Sequence, residues 1–205
     1  MKFGTDGVRG VAHEELTTEF AVRLARAASR VLGADGCSTV VIGGDTREST
    51  AAFDEALSEG FASSGIDVVR MGVASTPAVA FEAQRRGAMG AVVSASHNPW
   101  HDNGIKLFAP GGTKLPDDVE SRIEAAIDHD SGASGAVGTV SLDRSFDAYG
   151  DHALSILDGR DLSGLTVVLD VANGAAVDIA PDVLRSTGAE VIVICLLYTS
   201  PSPRD

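Results

Sequence analysis

The chemistry of this chain is concentrated in GAVVSASHNPWHDNGIK, residues 90–106. Within the eleven positions from Ser96 to Lys106 stand a hydroxyl, an imidazole (His97) and an ammonium. A hydroxyl can carry a phosphoryl group, and neighbouring cations can neutralise its oxygens, so the set suits phosphoryl transfer. Two serines compete for the carrier role. Ser94 sits where an apolar run ends and is expected to be partly buried, whereas Ser96 lies in the turn proper; composition does not choose between them. Asn98-Pro99 is a turn signal, and proline fixes its own φ, so the loop can be rigid. Taken singly, each residue has a plain structural reading: a turn serine bonding to backbone, a loop histidine, a solvated lysine on a strand edge.

Two other segments carry convergent groups. FGTDGVRG at 3–10 spaces glycines every third residue around Arg9, whose planar guanidinium matches phosphate oxygens. It is neither the dinucleotide fingerprint nor a P-loop, and nothing strand-like precedes it. IGGDTR at 42–47 puts Asp45 and Arg47 just after a β-branched run. An aspartate capping the next turn, with Arg47 paired to a carboxylate, explains that segment at least as well as ligand contact.

Alternating elements must hold these groups. Phe20, Leu24, Ala28, Val31 and Leu32 recur with a helical period over 17–32, opened by Thr17 and closed by Gly33. Residues 39–42 read as a buried strand, 52–61 as a helix, 67–71 as a strand, Pro77 to Arg86 as a helix, and 91–94 as a strand. Such alternation argues for an α/β layered domain. Residues 105–108 read as a returning strand, and Pro116 opens an acidic helix running to Ile127. The Gly- and Ser-rich stretch 129–145 reads as a boundary or long loop. Beyond it, a helix over 146–157, a strand over 166–170, a helix over 176–186 and a strand over 190–194 begin a second α/β unit. Residues 195–205, CLLYTSPSPRD, break the pattern and read as a non-native ending.

Bulk properties bound the partners. With 29 acidic and 16 basic side chains the formal charge is −13, which disfavours nonspecific binding to nucleic acid or anionic membranes. A small anionic substrate is still compatible, because a few cations can converge in one cleft. Cys37 and Cys195 lack CxxC spacing and read as tolerated thiols, not a disulfide framework. The opening MKFGTDG has no apolar leader and no run approaches membrane-spanning length, so a cytoplasmic protein is expected.

Taken together, FGTDGVRG (3–10), GDTR (44–47), SASHNP (94–99) and DNGIK (102–106) resemble the α-D-phosphohexomutases. FGTDGVRG with DNGIKLFAPGGTKL (102–115) is most similar to the branch acting on glucosamine phosphates, and VVLDVANGAA (167–176) and APDVLRSTGAEV (180–191) resemble the opening of the family's second domain. The resemblance implies a layered mixed sheet with flanking helices over 1–140, the start of a second similar α/β domain over 141–194, and a tail at 195–205. It implies Ser96 as the phosphoserine, His97 and Lys106 beside it, Lys106 in proton transfer at the sugar hydroxyl, and Arg9 holding phosphate. It also implies one Mg²⁺ bridging a phosphoserine oxygen and aspartates of a later loop absent from this chain. The implied reaction interconverts glucosamine 6-phosphate and glucosamine 1-phosphate through a bound bisphosphate, feeding cell-wall amino-sugar synthesis. Phosphomannomutase or phosphoglucomutase specificity, a serine hydrolase, and a noncatalytic phosphate-binding domain are the competing readings. Because the metal and sugar-selecting loops are expected downstream, negligible turnover is expected from these 205 residues alone.

Overall fold

The computed structural model describes residues 2–4, 7–129, 132, 135 and 137–194, so Thr5, Asp6, Cys195 and the expected tail lie outside the described residues. Strand β1 (Val8–Val11) leads to helix α1 (Thr18–Leu32), strand β2 (Thr39–Gly44), helix α2 (Thr50–Ala62) and strand β3 (Asp67–Val73). Helix α3 (Thr76–Arg86), strands β4 (Met89–Val93), β5 (Asp102–Ala109) and β6 (Thr113–Lys114), and helix α4 (Asp117–Asp128) follow. Strand β7 (Val140–Leu142), helix α5 (Asp147–Ser155), strand β8 (Thr166–Asp170), helix α6 (Ala180–Ser186) and strand β9 (Glu190–Ile194) complete the described chain.

The first sheet has the order β1-β5-β4-β2-β3-β7, with β6 on β5. β2 is parallel to β3 and β4, and β7 is parallel to β3, while β5 runs antiparallel to both β4 and β1. Strand alternation divides the core. Val40, Ile42, Met89, Ala91 and Ile105 pack with α1, α2 and α4, while Val41, Val69, Val92 and Phe108 pack with α3. Both faces are therefore covered, as the continuous apolar runs of β2 and β4 require. β8 and β9 form a separate parallel pair. The architecture is the mixed, layered α/β arrangement expected from the sequence. Among the described residues no helix is long and apolar enough to cross a membrane, and Cys37 is a free thiol.

Local signals explain most boundaries. Thr17 accepts the Phe20 N–H at 3.2 Å and caps α1. Pro116 caps α4 with extended backbone, so the helix begins one residue later than expected. Three strands differ from the sequence reading. β1 arises inside the Gly-rich opening and β7 inside the expected loop 129–145, so the first sheet runs on to Leu142. Both are sheet-edge strands whose pairing partners are distant in sequence, and short Gly- or polar-rich segments carry no periodicity to announce them. β6 is only two residues long. Helix α6 starts at Ala180, because Ala172 and Asn173 adopt left-handed φ of 48° in a turn that delays it.

The sheet is braced at both ends of its apolar layers. α1 and α2 approach through small residues: a Cβ on Gly60 would lie 2.5 Å from the Val22 carbonyl oxygen and 2.6 Å from the Ala25 Cβ. Arg86 of α3 bonds both Glu82 and Asp143, tying α3 to the residue after β7. Asp67, exposed at the start of β3, accepts the N–H and the hydroxyl of Thr139, each at 2.7 Å, and these bonds, the backbone one first, hold its carboxyl below the ordinary carboxylate range.

Gly60→Val should destabilise the fold by roughly 3 kcal/mol, since neither the Val22 backbone nor Ala25 can yield, and denaturant unfolding measures it. The Asp67–Thr139 contact should give a pH-dependent increment. Its contribution is full above the ordinary carboxylate pKa and is lost as pH falls through the lowered folded value. Unfolding midpoints of the parent chain and Asp67→Asn should therefore converge on acidification, and an unchanged gap across that window would refute it.

Candidate active site

β2 and β4 lie side by side and parallel, with Gly44 opposite Val93, so the segments leaving their carboxyl ends meet. Carboxyl ends of parallel strands are where α/β sheets present ligand-contacting groups. After β2 come Asp45, Thr46 and Arg47, and after β4 comes the loop from Ser94 to His101.

Arg47 joins the two. Its Nε donates to Asp45 Oδ2 at 3.0 Å. Nη1 donates to the carbonyls of Pro99 and, at 3.0 Å, Asp102. Nη2 donates to the carbonyls of Ser96 at 3.0 Å and Asn98 at 2.9 Å. These bonds use all five guanidinium N–H donors, three of them on the loop backbone and one on the first residue of β5. The Arg47 and Asp45 side chains are only 9% and 12% exposed, so this saturated pair is a structural brace and not a phosphate clamp.

Asp45 extends the brace. Its Oδ1 accepts from the Arg47 N–H at 3.1 Å and Thr50 Oγ1 at 3.0 Å, and its Oδ2 also accepts from Ser94 Oγ at 2.7 Å. Ser94 Oγ in turn accepts the Ser96 N–H at 3.0 Å. Ser94 is thus half-buried and committed to the backbone, whereas Ser96 is exposed. Ser96 has a φ of 57°, in the left-handed region that a non-glycine residue enters at a cost of about 1–2 kcal/mol. Its N–H and its carbonyl are both held, by Ser94 and Arg47, so the surrounding bonds sustain that conformation.

The other expected residues fall around this loop. His97 Nδ1 lies 3.5 Å from Ser96 Oγ, a long contact between exposed groups. Arg9 sits on β1 opposite Gly104 and donates from Nη1 to Asn98 Oδ1 at 3.2 Å. Asn98 donates from Nδ2 to Asp102 Oδ2 at 2.9 Å. A Cβ on Gly104 would lie 2.9 Å from Arg9 Cγ, so the missing side chain makes room for the arginine stem. Lys106 is half-buried on β5, two positions beyond Gly104 and opposite Val92, and so shares a sheet face with Arg9. It lines a cavity of about 210 Å³ with Phe3, Gly7, Thr76, Lys114 and Glu120. Ser96, His97 and Arg9 are gathered at the loop, and Lys106 is diagonal to Arg9 on the neighbouring strand.

Asn103 was not singled out by its sequence context. Fully buried, it donates to Ser49 Oγ at 2.9 Å and Thr50 Oγ1 at 3.3 Å, and accepts the Gly104 N–H at 2.8 Å, fixing the start of β5 to the entry of α2. Among the described residues no group of three or more His, Cys, Asp or Glu could hold a metal ion.

Fold and loop together define an α/β/α domain that presents one serine hydroxyl from a braced turn at the carboxyl edge of a mixed sheet. Residues 1–133 match the family model described as phosphoglucomutase/phosphomannomutase, alpha/beta/alpha domain I, and the chain belongs to that family. It is 46% identical to a phosphoglucosamine mutase of Corynebacterium aurimucosum, over 94% of this chain and 45% of the relative. The identity is 48% to the protein of that name from Desulforamulus reducens, with the same coverage. Among solved structures, a phosphomannomutase described as putative from Thermus thermophilus superposes with a TM-score of 0.81 at 32% identity, over 94% of this chain and 45% of that one. A phosphoglucomutase/phosphomannomutase family protein of Burkholderia thailandensis gives a TM-score of 0.83 at 27% identity, over 94% and 43%. The chain thus spans about 45% of the length of the relatives it matches.

Arg47→Ala removes one partner of a nearly buried pair and leaves three loop carbonyls and that of Asp102 without their donor. It should cost about 3 kcal/mol of stability. It should also raise amide exchange across 96–102 well above that in Arg47→Lys, which retains the charge. Equal protection in parent and Arg47→Ala would refute the brace.

Proposed function

We propose that this chain supplies the phosphoserine portion of a phosphohexomutase, with Ser96 as the residue that gives and recovers the phosphoryl group. The observation that carries the reading is the exposed Ser96 hydroxyl on a backbone held from both sides, beside His97 and in a loop that Arg9 contacts at Asn98. A group that must be esterified and de-esterified repeatedly needs to reach substrate while its attachment point stays fixed.

In the first half-reaction a sugar-phosphate hydroxyl attacks the phosphoserine phosphorus. The P–O bond to Ser96 breaks, a P–O bond to the sugar forms, and the proton of the sugar hydroxyl is passed on, with Lys106 as the candidate to take it, so that Ser96 Oγ ends as a hydroxyl. The bisphosphate reorients, and its other phosphoryl returns to Ser96 Oγ in the reverse sense. A phosphoserine carries about −1.5 to −2 charge, and Arg9, joined by Lys106 once it has taken the sugar's proton, would offset it in a chain of net charge −13.

The described residues do not by themselves fit a Mg²⁺ site. No cluster of three ligand-type side chains is present among them, Asp45 accepts from Arg47, Thr50 and Ser94, and Asp102 accepts from Asn98. A phosphoserine oxygen is what Ser96 could offer the ion.

The substrate we favour is glucosamine 6-phosphate, interconverted with glucosamine 1-phosphate, because the curated relatives at 46–48% identity bear the name phosphoglucosamine mutase. Mannose or glucose phosphate is the second reading, supported by the names of the family model and of the structural neighbours. Because the chain spans about 45% of its relatives, turnover is expected from a protein of their full length, with negligible turnover from these 205 residues.

In such a full-length protein, intact mass should reveal one phosphoryl group that Ser96→Ala lacks. The same substitution should lower turnover of glucosamine 6-phosphate by at least about 10³-fold, and Arg9→Gln by about 10²-fold. Assays with the three hexose phosphates rank the substrates. Normal turnover by Ser96→Ala would sink the proposal.

A further inference from the structure

β2 has two neighbours, and its carboxyl end opens on two sides. Towards β4 lies the serine loop. Towards β3 and β7 lies a groove of about 630 Å³, entered between α2 and the segment following β7. Its apolar lining is Ala51, Val73, Val140 and Leu142, and its charged lining is Asp45, Arg47, Asp54, Arg70 and Arg144.

Three guanidiniums thus face two carboxylates, and both carboxylates are already paired. Asp45 belongs to the Arg47 brace. Asp54 takes Arg70 Nε on both oxygens at 3.1 Å and Nη2 at 3.0 Å. Among the described residues nothing accepts from Arg70 Nη1, and its side chain remains 29% exposed. Arg144 is exposed, and among the described residues its guanidinium makes no hydrogen bond or ion pair. The adjacent Asp143, which could have paired with it, is engaged by Arg86. Arg144 instead lies across β3 at Gly72, where a Cβ would sit 3.3 Å from its Nε and where φ is +74°. A side chain at position 72 would occupy the arginine's seat. The groove therefore combines one uncompensated cation, spare donors on a second, and an apolar wall exposed at Val140 (51%) and Leu142 (61%).

The geometry points to a second anion site here, separate from the serine loop, taking the phosphate or carboxylate of a small organic anion on Arg144 and Arg70 with its uncharged body against Val73, Val140 and Leu142. A planar guanidinium without a carboxylate partner recognises such oxyanions by paired N–H donors, and the wall favours an ester over the bare ion. The site does not depend on the role of Ser96.

The test is amide NMR titration of the full chain with inorganic phosphate and with phenyl phosphate. Both should give saturable shifts at Gly72, Val73, Ser141, Leu142 and Arg144, with phenyl phosphate binding more tightly. Arg144→Gln should raise both dissociation constants by at least about tenfold, and Arg144→Lys by less, since it keeps charge but loses the fork. Ser96→Ala should change neither. Tighter binding of phenyl phosphate than of phosphate assigns the site to an organic anion, and equal affinity would overturn that part. Absence of saturable shifts at these amides, or shifts unaltered by Arg144→Gln, would overturn the site. Shifts confined to 94–98 and lost in Ser96→Ala would assign the anion to the serine loop instead.

Discussion

Everything at the candidate site depends on one buried guanidinium. The excursion from Ser94 to His101 between β4 and β5 is polar, and its carbonyls would otherwise point into solvent or at one another. Arg47 collects three carbonyls there and that of Asp102 at the start of β5, while its charge is balanced by Asp45, so a polar loop is tied to the sheet on both sides. The relay from Asp45 through Ser94 to the Ser96 N–H fixes the remaining degree of freedom. The left-handed φ of Ser96 is the conformational result, and the exposed hydroxyl is the chemical one.

The mixed sheet makes this brace possible. Parallel pairing of β2 with β4 brings two carboxyl ends together, so one segment can supply the brace and the other the hydroxyl. Antiparallel return through β5 then runs the chain back beneath the loop, and β1 on its far side delivers Arg9 to Asn98. Gly104 is the point where strand and arginine stem come closest, so the lack of a side chain at one position admits a cation to the site. A chain of net charge −13 can thereby hold a local positive field, because position and pairing, not totals, set the potential at a cleft.

The same turn reaches further. The Thr46 hydroxyl donates to the Asn173 carbonyl in the turn after β8, so the segment bracing the serine loop also contacts the second sheet unit. On its other side it lines the groove that holds Arg70 and Arg144. Residues 45–47 are therefore shared by the loop, the second unit and the groove.

The alternation of strand and helix was legible in the sequence because its cause is local: β-branched runs buried on both faces and helices with one apolar stripe fold to the same pattern almost anywhere. The turn position of Ser96, the partial burial of Ser94 and, as one of two open readings, the pairing of Arg47 with a carboxylate were legible for a similar reason, since strand ends followed by Asp, Asn and Pro restrict the backbone nearby. β1 and β7 were not, because short edge strands take their conformation from partners about 97 and 72 residues away, Val8 with Ile105 and Val68 with Val140. Nor could sequence show that Arg47 saturates its donors while Arg144 finds no acceptor among the described residues, for both read simply as arginine. Hydrogen-bond saturation is a property of the assembled neighbourhood. By itself the sequence determined the strongly periodic strands and helices and placed the polar loop between them, and tertiary packing alone decided the short edge strands and which arginine is saturated by its neighbours.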